Sequence, residues 1–164
     1  MLPKLLVGSL FILLVWGNLV SGLESVLACH DWPLCYGKFF PEYRWDIFME
    51  HTHRMIGAVF SILFFIYAYK IYKRYDGAYK IIPIFTVVIL IIQIILGGIV
   101  VLMKIPVDIT TLHFGNAMVI FSLVLYQVYF DGIDRKPKLK FSGSAGLFFG
   151  LSIIILIQAI LGAY

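Results

Sequence analysis

The sequence predicts an all-α fold, a polytopic membrane helix bundle in which a four-helix unit is followed by a fifth transmembrane helix. Three observations predict it. Of 164 residues, 62% are apolar and only 13% are charged, against roughly 45–50% and about 25% in a soluble domain. Mean hydropathy is +0.97. Five stretches reach the ~20 mostly apolar residues that cross a bilayer. One small core cannot hide this much apolar surface, so a soluble globular domain is excluded. Disorder needs high charge and few aromatics, and is excluded too. With 14 glycines and 2 cysteines, collagen-like and disulfide-dense classes do not fit. One membrane domain over residues 1–164 is expected.

The first span is expected at about 5–22, after Lys4. It resembles a signal peptide in following a lysine and ending in Val20-Ser21-Gly22. Its apolar run exceeds the usual core of roughly 7–15 residues, which favours a retained helix. An external loop follows over 23–46. Further spans are expected at about 47–69, 81–103, 107–130 and 145–164. Ile92-Gln93-Ile94-Ile95-Leu96-Gly97-Gly98 is echoed by Ile157-Gln158-Ala159-Ile160-Leu161-Gly162-Ala163. Small residues allow close packing in any bundle, but the shared glutamine and matching topology raise the echo slightly above chance.

Charge sets the orientation. Lys4, Lys70, Lys73, Arg74, Lys80, Arg135, Lys136, Lys138 and Lys140 fall on one side if all five stretches span. Lys38, Arg44 and Lys104 fall on the other. The positive-inside rule then makes this a multi-pass cell-membrane protein with a cytoplasmic N-terminus and an external C-terminus. The net charge of +4 follows from this topology, and no nucleic-acid partner is expected.

Ionisable residues inside a membrane are costly and usually functional. Here they cluster in Glu50-His51-Thr52-His53-Arg54, opening the second helix, and in Leu112-His113-Phe114-Gly115 of the fourth. At 1.5 Å per residue, His53 and His113 both lie roughly 9 Å below the external edge. Two imidazoles at one depth suit axial ligation of a haem iron between helices, and Gly57 and Gly115 are placed to give a flat macrocycle room. Glu50 shares a face with His53 and Arg54, whereas His51 points elsewhere. A carboxylate there suits proton transfer. The bland alternatives are an i,i+4 Glu50–Arg54 ion pair and hydrogen-bonded core histidines.

Cys29 and Cys35 lie in the external loop, where a disulfide is allowed. Their spacing is neither a C-x-x-C motif nor a zinc site. A structural staple and a thiol pair exchanging electrons both fit. Trp32, Tyr36, Phe39, Phe40, Tyr43 and Trp45 make the loop aromatic, as an interfacial belt or as a lid over a large apolar ligand.

The run Cys29-His-Asp-Trp-Pro-Leu-Cys35-Tyr-Gly-Lys-Phe-Phe-Pro41, with Glu50-x-x-His53-Arg54 and Leu112-His113-Phe114-Gly115, resembles heme A synthase. The order and side of these motifs match that family over about residues 10–130. The resemblance is to the N-terminal, catalytic half of a usual form with eight helices in two similar halves. It implies a four-helix haem-binding unit with His53 and His113 as axial iron ligands. It also implies Glu50 as the essential glutamate, Cys29 and Cys35 as the catalytic loop's cysteine pair, and Arg54 near a propionate, which a guanidinium binds bidentately. The implied reaction oxidises a haem O methyl group to a formyl group by successive hydroxylations and loss of water. The product, haem A, serves terminal oxidases.

The chain has about half the family's usual length, so the second half, with its own histidine pair and haem b, is missing. Either the form is naturally compact or the chain is truncated. If it is natural, a second haem site comes only from another copy, which makes a homo-oligomer, first a symmetric dimer, the expectation. The other expected partners are membrane lipid, a haem O-supplying enzyme and an electron acceptor. The alternative function is a bis-histidine membrane cytochrome b that carries electrons without modifying its haem.

Overall fold

A computed structural model of the chain describes residues 2–133 and, beyond them, residues 153, 154, 157 and 158. The expected fifth helix lies outside the described residues apart from those four, which are helical. The four helices are α1 (Leu2–Gly22), α2 (Trp45–Arg74), α3 (Ile81–Leu102) and α4 (Val107–Ile133), with a 3₁₀ turn over Gly77–Lys80 leading into α3. All four are long and apolar enough to cross a membrane. No strand occurs among the described residues. With its family, established below, this makes the chain a multi-pass membrane protein.

The helices begin and end for local reasons. α2 outruns the predicted span at both ends. Its last turn carries Lys73 and Arg74, which favour the negative end of the helix dipole. Its 30 residues span roughly 45 Å, more than the ~30 Å hydrocarbon core. α1 stops where Glu24 adopts a positive φ of 53°. There Ser25 N–H reaches the Val20 carbonyl and Glu24 N–H the Ser21 carbonyl. α3 stops in the same way at Lys104, with φ of 58°, where Ile105 N–H reaches Val100 and Lys104 N–H reaches Val101. This paired closure satisfies carbonyls left open at a helix end.

α1 packs chiefly on α2 and α3 chiefly on α4, while α2–α3 and α1–α4 contacts close the ring. Thus α2 and α4 stand on one diagonal, and α1 and α3 on the other. Leu6, Leu10, Phe60, Phe64, Tyr67, Ile71, Leu90, Ile120 and Val124 fill the interior towards the end where α1 starts. Between helices in lipid there is no hydrophobic driving force, so close packing and interhelical hydrogen bonds hold the bundle. Trp16 Nε1 donates to the Met49 carbonyl at 2.9 Å. The Tyr67 hydroxyl donates to the Gln127 carbonyl at 3.2 Å, and the Gln127 amide to the Thr86 hydroxyl at 2.9 Å. Such bonds contribute about 0.6 kcal/mol each.

Candidate functional site

The opposite end of the bundle is built differently. His53 enters about two turns into α2, and His113 lies at a similar depth in α4. Both are partly buried. Each ring rests against a glycine of the neighbouring helix. A Cβ on Gly17 of α1 would stand 2.8 Å from His53 Cε1, and one on Gly97 of α3 would stand 3.1 Å from His113 Cε1. The diagonal helices α2 and α4 therefore supply the imidazoles, and α1 and α3 supply their space. Gly57, singled out from the sequence, does not make this room, because its Cβ would meet only Leu13 Cδ1 at 3.8 Å. Gly17 and Gly97 escape sequence reading because small residues recur throughout apolar helices, although Gly97 does sit in the repeated Gln93 segment.

Both His53 Nδ1 and His113 Nδ1 are buried without a hydrogen-bond partner. A partly buried imidazole on each of two diagonal helices fits the donor set of a haem iron. Among the described residues no three His, Cys, Asp or Glu side chains converge on a common point. An iron held by these two histidines would take its remaining ligands from a macrocycle.

Glu50 is only 4% exposed. Its Oε2 accepts the Cys29 N–H at 2.7 Å, and its Oε1 accepts Arg54 Nη2 at 2.5 Å. The i,i+4 ion pair is therefore real, and it is buried. Three further hydrogens of Arg54 go to the loop. Nη2 also donates to the Cys29 carbonyl, while Nη1 donates to those of Asp31 and Leu34. Through these carbonyls Arg54 joins the loop to α2.

Cys29 and Cys35 form a disulfide, and both are fully buried. The loop is further set by Asp31, whose carboxylate accepts Tyr36 N–H and Gly37 N–H, each at 2.7 Å. Tyr36 and Gly37 take positive φ values of 54° and 66°, and this turns the chain back. Burial pushes the Asp31 carboxyl up, but the Gly37 and Tyr36 N–H groups outweigh it and hold it below its usual value. Trp32 lies against α3 where a Gly98 Cβ would stand 3.0 Å from its indole. His51 turns away from His53, its Nε2 3.0 Å from the Phe39 carbonyl. The loop therefore covers this end of the bundle, while Phe40 and Tyr43 stay exposed at 89% and 79%, as residues of an interfacial belt do.

Comparison with known proteins bears on the same residues. The family described as COX15-CtaA, cytochrome oxidase assembly protein, matches residues 42–164. The chain is 33% identical over 136 residues to a heme A synthase of Bacillus pumilus, covering 79% of this chain and 44% of that protein. It is 29% identical over 161 residues to one of an Exiguobacterium species, covering 94% and 53%. It is 29% identical over 165 residues to one of Bacillus licheniformis, covering 95% and 54%. No solved structure matches. The chain spans about half the length of the curated relatives it matches. Through the match over α2, α3 and α4, with His53 and His113 inside it, the chain belongs to the COX15-CtaA family of cytochrome oxidase assembly proteins.

Proposed function

We propose that the chain is an oxidoreductase unit of haem A formation, which binds haem O and supports oxidation of one of its methyl groups to a formyl group. One observation carries the reading. Two partly buried imidazoles stand on diagonal helices, each against a glycine whose Cβ would crowd the ring. The relatives' name as heme A synthases supports the substrate class. A cytochrome b that leaves its haem unaltered gains no support from the fold or the relatives.

His53 and His113 would hold the haem iron. When bound, haem O supplies the methyl group and a redox-active iron. The chain's own contribution is position, which lowers a barrier by fixing the reacting edge. Glu50, one turn from His53, manages protons. Its burial beneath the Cys29–Cys35 loop keeps bulk water off that carboxylate. Reduction of the Cys29–Cys35 disulfide to two thiols would take up two electrons and two protons from the oxidation, and the electron acceptor would reoxidise them, so the four-electron conversion takes two such cycles; Cys29 N–H fixes Glu50 beside the pair. Arg54 keeps the loop, and with it Glu50, in place. Lys4, Lys70, Lys73, Arg74 and Lys80 share one end of the bundle, which orients the N-terminus towards the cytoplasm and the loop outward. A second copy, in a symmetric dimer, would supply any further haem b site. A haem O-supplying enzyme and an electron acceptor complete the proposed partners.

The test is to purify the protein from cells making haem O, extract the bound haem and determine its mass. Haem O, a hydroxylated form or haem A supports the proposal, and unmodified haem b alone overturns it. Glu50→Gln should keep haem bound and stop conversion. Full conversion by that variant would refute the role of Glu50.

A further inference from the structure

Gln93 has no part in the function above, yet it lies inside the membrane on α3 beside a proposed ligand. Its Nε2 is 3.2 Å from His113 Nε2. Its Oε1 accepts Asn116 Nδ2 at 2.8 Å. The same Asn116 Nδ2 donates to the Ile89 carbonyl at 3.1 Å. A backbone carbonyl only accepts, so the Ile89 oxygen fixes which end of the Asn116 amide faces α3. That NH₂ group has two hydrogens, and the second meets Gln93 Oε1. With its oxygen so engaged, the Gln93 amide presents its NH₂ to His113. A neutral imidazole has one donor and one acceptor nitrogen. Nε2 must then be the acceptor, and the ring proton sits on Nδ1.

We infer that Gln93, locked by Asn116, is a positioning residue that holds His113 as the Nδ1–H tautomer with its lone pair on Nε2. The inference rests on the haem-ligand reading of His113 only for its purpose, since the tautomer is a property of the chain alone. The contact is on Nε2, so Gln93 sets the tautomer of the free ring and must yield Nε2 when a metal binds there. The Gln93 amide is a weak occupant of the lone pair that an iron would take, so the nitrogen is kept ready without being closed off. Two near-isosteric changes reverse the polarity. Gln93→Glu offers His113 a carboxylate, which accepts a proton and draws it to Nε2. Asn116→Asp removes the donor that holds Gln93 Oε1 and turns that oxygen towards the ring.

The experiment has two arms. In the first, nitrogen-15 NMR of histidine-labelled, haem-free full-length protein in nanodiscs reads the tautomer of His113, assigned with His113→Ala. Wild type should show a proton on Nδ1, and Asn116→Asp should move it to Nε2. A wild-type proton on Nε2 overturns the inference without any variant being needed. In the second arm, hemin is titrated into the same proteins and followed by visible and electron paramagnetic resonance spectra. Gln93→Glu and Asn116→Asp should bind at least tenfold more weakly and lose the low-spin signature of two axial imidazoles, while Gln93→Leu keeps it. Low-spin spectra and affinities within twofold of wild type in both carboxylate variants overturn the inference. His53→Ala and His113→Ala serve as separate controls. If they leave the hemin spectrum unchanged, the ligand reading fails, whatever the tautomer.

Discussion

Gly17 offers the sharpest separation between binding and stability. In Gly17→Ala the new Cβ would stand 2.8 Å from His53 Cε1, 3.3 Å from Nδ1 and 3.5 Å from Nε2. The nearest approach falls about 0.6 Å short of ordinary contact, so the ring must shift or turn as a body. Overpacking of this kind costs about 1–3 kcal/mol. If it falls on the bound geometry, hemin affinity drops by roughly 5- to 150-fold. Gly97→Ala meets His113 Cε1 at 3.1 Å and should lie at the low end of that range. Gly57→Ala, with only Leu13 Cδ1 at 3.8 Å, and Gly8→Ala, with nothing within 4 Å, should leave hemin binding unchanged. Alanine also raises helix propensity by about 1 kcal/mol at each position. Thermal unfolding in detergent should therefore hold or rise in Gly8→Ala and Gly57→Ala, while hemin titration ranks Gly17 below Gly97 and both below the controls. Equal hemin affinity in all four variants would refute the assignment of Gly17 and Gly97 as the space-makers.

The loop should respond to acid through Asp31. Its carboxyl is held below its usual value in the folded loop, so its contribution is present above the unfolded pKa and fades as pH falls through the folded one. Reduction of Cys29–Cys35 by a phosphine, timed across pH, should accelerate below about pH 4, and Asp31→Asn should make it fast and flat throughout. Glu24 and Lys104 each hold a left-handed conformation at a helix end. Glycine there removes a strain of about 1–2 kcal/mol, so Glu24→Gly and Lys104→Gly should raise the unfolding midpoint, and a lowered midpoint in both would contradict the closure described.

The first four spans were legible because a bilayer imposes a length and an apolar composition on any helix that crosses it. Their ends were not. α2 continues to Arg74 past the bilayer, where hydropathy no longer marks a helix. α1 and α3 are closed by Glu24 and Lys104, residues that do not announce a left-handed cap as glycine does. The site divides in the same way. Glu50, His53, Arg54 and His113 stand out because ionisable groups are rare in apolar helices. Helical spacing correctly put Glu50 beside Arg54. It carried nothing about Arg54 reaching three loop carbonyls, because those partners lie 20 to 25 residues away and depend on how the disulfide folds the loop. Gly17 was silent for another reason: the role of a glycine lies in what its neighbour requires.

The two histidines also differ in what supports them. His53 shares one turn of α2 with Glu50 and Arg54, which the loop grips through Cys29, Asp31 and Leu34. His113 is steadied through Gln93 and Asn116, which the loop residues do not contact by any of these bonds. Removing one partner of a buried ion pair costs about 3–5 kcal/mol. Loosening the loop by reducing Cys29–Cys35 exposes the pair and is the milder perturbation of the same turn. It should weaken hemin binding through His53 alone. Sites with no shared partner add within about 0.3–0.5 kcal/mol. Disulfide reduction and Gln93→Glu should then multiply their effects on hemin affinity to within roughly twofold. A combined effect no larger than either alone would show that loop and α3 network act on one ligand, and the division between the two supports would be wrong.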